Sequence, residues 1–121
     1  MWDDASPRKR SELIIHGAAI AAAGAAAATV IPGSDAVLIM PIQVSMVAAV
    51  AHQYGIEPTA SLLRSTVYAT LGSIVGKAGA GVLLRWVPVA GNLVRGSVAF
   101  SVTEALGQLI LQRLEAGEGL S

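Results

Sequence analysis

From Leu13 to Ser34 the chain runs for 22 residues without Asp, Glu, Lys or Arg, and from Ala36 to Ile56 for another 21, with only Asp35 between. A surface helix needs a charged face, so neither run reads as an ordinary amphipathic helix. A helix apolar all round is a membrane span or the buried centre of a larger assembly. Between the runs, Pro32 and Gly33 stop one helix, and Ser34 or Asp35 caps the next. The segment 12–56 therefore reads as a helical hairpin. Each arm is about long enough to cross a hydrocarbon core of roughly 30 Å.

Length is not insertion energy. In the first run the strong lipid-seekers are Leu13, Ile14, Ile15, Ile20, Val30 and Ile31. At about −0.3 to −0.6 kcal/mol each they supply roughly −2 to −4 kcal/mol. His16 and the glycines erode that sum, and the second run carries Pro41, Gln43, His52 and Gln53. Both are marginal spans, which keeps a soluble oligomer with the hairpin at its centre in play.

Composition points the same way. Hydrophobic residues make up 54% and charged residues 13% of the 121, against about 25% charged in an average soluble domain. With aromatics at 4%, the apolar weight lies in small and aliphatic side chains, which favour close helix contacts. A formal net charge of zero argues against nucleic acid as a partner. No cysteine is present, so disulfides and thiolate metal sites are excluded. The length is that of one domain.

Residues 1–11 read as a polar arm, with Arg8, Lys9 and Arg10 placed to meet acidic headgroups or to hold a span at its cytoplasmic end. The same cluster also fits a signal-peptide n-region or a solvated helix start. Gly55 to Thr59 is a break before a third helix over 58–86, which contains Arg64 and Lys77 and so cannot span cleanly. Trp86 to Asn92 reads as a turn before a fourth helix over 89–115. There Ser97, Ser101, Glu104, Gln108, Gln112 and Glu115 recur at steps of 4, 3, 4, 4 and 3, one narrow polar stripe. The tail 116–121 is polar and Gly-rich and reads as flexible. The fold class is all-α: an Ala/Gly-rich hairpin followed by two amphipathic helices, in one domain over 12–115.

Gly17, Ala21, Gly24 and Ala28 trace a small-residue line, and Gly72 and Gly76 form a G-x-x-x-G; such lines let helix backbones approach. Pro41 lies deep enough in the second helix to kink it. His16 and His52 read as structural histidines rather than ligands. Nothing resembles a zinc motif, a phosphate loop or a nucleophile elbow, so the reading is a non-enzyme without cofactor or metal.

Five stretches carry a family resemblance. They are Ile14-Ile15-His16-Gly17-Ala18-Ala19 with Ile31-Pro32-Gly33-Ser34-Asp35-Ala36, the run Pro41 to Val47 ending at Tyr54-Gly55, and Trp86 to Asn92 with Val102 to Gly107. Over roughly residues 12–112 the chain resembles the GTPase-associated bacterial domain of unknown function, the YcjF-like hydrophobic helical family. The resemblance implies membrane association and a GTPase partner, and no catalytic residues. This chain has no P-loop of its own.

The expectation is a membrane-associated, self-assembling scaffold or anchor at the bacterial inner membrane, with both termini cytoplasmic. One alternative is a pore or membrane-perturbing effector, its water path lined by the stripe around Glu104 and Gln108. Another is a cytoplasmic, soluble homo-oligomer.

Overall fold

A computed structural model describes the backbone of residues 6–28, 35–78 and 80–120, and the side chains of 6–27, 39–74 and 96–120. It is all-α: α1 (Pro7–Ala28), α2 (Asp35–Gln53), α3 (Ala60–Ala78) and α4 (Ala80–Glu115), with no strand among the described residues.

The helix ends follow from local chemistry. Ser6 caps α1, its Oγ accepting from the Lys9 N–H at 3.1 Å, and Pro7 follows at the first helical position, where its missing N–H costs nothing. Thr59 does the same for α3, accepting from the Leu62 N–H at 3.1 Å. After α2, the Ile56 N–H donates to the Ala51 carbonyl and the Gly55 N–H to that of His52, with Gly55 at φ +75°. This Schellman turn needs the left-handed conformation that glycine adopts without strain.

The chain's end repeats the device. Glu118 N–H donates to the Arg113 carbonyl, Gly117 N–H to that of Leu114, and Gly117 and Gly119 both take positive φ. Residues 116–120 are therefore not a loose tail. The two reversals turn Leu120 inward until it is 5% exposed, and its carbonyl accepts from Thr66 Oγ1 of α3 at 3.2 Å.

The expected arm is likewise part of a helix, since Arg8, Lys9 and Arg10 lie in the first turn of α1. Three cations at the positive end of a helix are unfavourable. Neighbours offset this: Arg8 pairs with Glu115 and Glu12, and Arg10 donates to Gln53. The boundary between the third and fourth helices also differs from expectation. α3 ends at Ala78 and α4 begins at Ala80, so Trp86 to Asn92 lies within helical backbone. Gly76, Gly79 and Gly81 concentrate the lowest helix propensity in that neighbourhood. α2 continues through Pro41, which lies on its exposed side and lines a groove with Ile14 and Ala18.

α4 packs on all three other helices, and α1 packs most extensively on α4, then on α2. The contacts run Arg8 to Glu115, Ile15 to Gly107 and Ala23 to Gly96, so α1 and α4 are antiparallel. α1 buries Ser11, Ile15, Ala19, Ala22 and Ala26; α4 buries Gly96, Ala99, Thr103, Leu106, Ile110 and Leu114. Both rows keep the 3–4 spacing of a packed helix face. The seam tapers. At one end large side chains of Ile15, Leu106, Ile110 and Leu111 meet Met46, Val47, Val50 and Val67. At the other, Ala22, Ala26 and Ala99 bring the backbones together under Ile39 and Ile42. Burying each large aliphatic side chain is worth about 1.5–3 kcal/mol. A polar pair crosses the interior, Gln43 Nε2 donating to Thr103 Oγ1 at 3.0 Å.

Candidate interaction surface

The outward face of α1 is defined by what the bundle does not cover. Leu13 is 54% exposed and Ile20 65%, and Gly17, Ala21 and Gly24 lie exposed on the same side. The expected packing line Gly17–Ala21–Gly24 differs from the buried line Ile15–Ala19–Ala22 by two residues, about 200° around a helix. It therefore points away from the core. A methyl group added at Gly17, Gly24 or Gly72 would meet nothing within 4 Å, so among the described residues these three are not close-packing glycines. The side chain at Gly76 lies outside the described residues.

The glycines that do permit close approach are on α4. A methyl group on Gly107 would sit 2.6 Å from both Cγ1 and Cγ2 of Ile15, and one on Gly96 would lie 3.2 Å from the Ala23 carbonyl oxygen. Gly96 and Gly107 are eleven residues apart, about three turns, and so share one face. That spacing, on a face about 100° around the helix from the polar stripe, was the available signal.

The polar stripe of α4 divides between two seams. Toward α1, His16 Nδ1 lies 2.8 Å from Glu104 Oε1, and Gln108 Nε2 donates to Glu104 Oε2 at 3.2 Å. Glu115 receives both Arg8 hydrogen bonds, at 2.8 and 3.0 Å, and these push the Arg8 guanidinium still further up from its ordinary pKa. Toward α3, Gln112 lines a separate groove. Ser97 and Ser101 border an open cleft of about 560 Å³ with Ala23, Gly24, Ala27, Gly96 and half-exposed Phe100. Both carboxylates of the stripe are thus engaged within the chain. Tyr54 stands beside the Arg8–Glu115 end of the seam; burial, with the Glu115 carboxylate, raises its phenol pKa.

The histidines each face a carboxylate, His16 across α1 and α4 and His52 across the turn to Glu57. Among the described residues no three His, Asp or Glu side chains converge as a metal would require, and no described helix is long and apolar enough to cross a membrane. Of the basic arm, Arg8 and Arg10 are committed to intramolecular contacts, and Lys9 is exposed in the same turn.

Compared with known proteins, the chain matches no family model, no curated protein and no solved structure.

Proposed function

We propose that this protein is a non-enzymatic helical module that associates with a membrane surface and with copies of itself, acting as a scaffold or anchor. The observation that carries the reading is the outward face of α1, where Leu13, Gly17, Ile20 and Gly24 form an apolar and small-residue row that the bundle leaves uncovered. Exposed apolar rows of this kind are docking surfaces for helices or lipid. Lys9 lies one turn before Leu13 on the same side, and adds an attraction to acidic headgroups of about 1 kcal/mol at close range. With no spanning helix among the described residues, the association proposed is at the surface, and both termini then lie on one side. A GTPase as partner rests on the resemblance alone.

The test is fractionation of cells expressing the chain, followed by a salt and alkaline-carbonate wash of the membranes. A surface-bound module pellets with membranes and is released by the wash. Protein that resists the wash and needs detergent contradicts surface binding.

A second reading, the soluble homo-oligomer, is favoured by the same exposed Leu13 and Ile20. In it the same α1 face is covered by a second copy. It predicts a uniform particle of several chains in plain buffer and no membrane fraction.

A further inference from the structure

Between α3 and α4 lies an open groove of about 390 Å³, away from the α1 face. Its walls are Ala69, Thr70 and Ser73 of α3, Leu109, Gln112 and Arg113 of α4, and Glu118 of the turned-back tail. Two opposite charges line it. The hydrogen bond from the Glu118 N–H to the Arg113 carbonyl, 2.9 Å, and the left-handed Gly117 fix the two backbones in one tight turn. Arg113 and Glu118 nevertheless form no ion pair with each other or with any other described residue. Two opposite charges that border one cavity without neutralising each other present a dipole to whatever enters it. Around them stand the Thr70 and Ser73 hydroxyls and the Gln112 amide, which both donate and accept.

We propose that this groove binds a small zwitterion carrying a phosphate or carboxylate and an ammonium group. The anionic end pairs with Arg113, whose planar fork suits bidentate oxygen recognition. The ammonium pairs with Glu118 and is further favoured by the carbonyl-rich C-terminus of α4. A simple anion is a poorer fit, because Glu118 and the helix C-terminus both repel it. A simple cation meets Arg113. The chemistry is shared by two sources, a phosphoethanolamine lipid headgroup and a free zwitterionic metabolite. The proposal does not depend on the membrane reading, because the free source needs no bilayer.

The experiment is a titration of the intact chain followed by amide NMR, with O-phosphoethanolamine, inorganic phosphate and ethanolamine as separate probes. O-phosphoethanolamine is expected to shift resonances of residues 69–73 and 109–118 with a Kd of about 1 mM. Phosphate and ethanolamine alone bind about tenfold or more weakly. Arg113→Gln and Glu118→Gln each weaken binding by about tenfold with the thermal melt unchanged, and Arg113→Lys restores part of it. Vesicles of phosphatidylethanolamine that compete with the soluble probe support a headgroup site, whereas undisturbed soluble binding in their presence supports a free-zwitterion site. Either vesicle result leaves membrane association to be judged separately by fractionation. No saturable shift up to about 10 mM, or phosphate binding as tightly as the zwitterion with Glu118→Gln silent, overturns the proposal.

Discussion

Gly107 and Ile15 lie so close that a methyl group on the glycine would come within 2.6 Å of two carbons of the isoleucine. The carbons are Cγ1 and Cγ2, held next to the α1 backbone, so Ile15 cannot swing its bulk aside as a long flexible chain would. This contact sets the distance between the two most extensively packed helices.

Gly107→Ala is therefore expected to destabilise the fold by about 1–3 kcal/mol through overpacking, despite alanine's better helix propensity. Gly17→Ala, where space is open, is expected to stabilise the monomer by about 0.5–1 kcal/mol. Urea unfolding of both variants checks the contrast; a stabilised Gly107→Ala contradicts the close approach. Adding Ile15→Ala to Gly107→Ala should relieve the clash while opening space of its own, a non-additive pair.

The buried pair Gln43–Thr103 gives a second contrast. With Gln43 3% and Thr103 0% exposed, Thr103→Val leaves a buried amide unpaired and is expected to cost about 1–3 kcal/mol. Gln43→Leu with Thr103→Val removes both polar ends and is expected to recover most of that loss. A double-mutant cycle by thermal melting measures the coupling, and simple additivity counts against the hydrogen bond.

The turned-back tail predicts that the last residues are structural. Leu120→Ala is expected to cost about 2–5 kcal/mol, as for other buried leucines. Gly117→Ala, at φ +78°, adds backbone strain of about 1–2 kcal/mol. Denaturation midpoints unchanged by both would show that the tail does not dock.

Tyr54 carries a pH dependence. Burial and Glu115 raise its pKa in the folded chain above the unfolded value of about 10. The neutral phenol's contribution is whole below about pH 10 and is lost as pH rises through the folded value. Tyr54→Phe is expected to flatten the alkaline decline of the melting temperature. An identical decline in both proteins would assign it elsewhere.

How far the sequence could be read is clearest on α1. The charge-free runs made the all-helical class and the first two helices legible, while the Pro32–Gly33 turn lies outside the described residues. The face of α1 was not, because the outward row Leu13–Gly17–Ile20–Gly24 and the buried row Ile15–Ala19–Ala22–Ala26 both mix aliphatic with small residues and offer no contrast. α4 was easier, since its polar stripe marks the edge opposite Leu106 and Ile110. Even there the spacing of Gly96 and Gly107 marks a face, but the close approach at Gly107 depends on the isoleucine it meets on another helix, a contact that local periodicity does not contain. The docked tail is illegible for a related reason, because Gly117 and Gly119 mark looseness or tight reversal equally well, and only buried Leu120 decides which.

The outward face of α1 is tested most directly by flotation of the purified chain with anionic liposomes, comparing wild type with Ile20→Glu. Ile20 is 65% exposed, so the substitution should leave the melting curve unchanged. The account predicts that wild type floats with the liposomes and Ile20→Glu stays at the bottom of the gradient. Wild type remaining at the bottom, or both proteins floating alike, would contradict it.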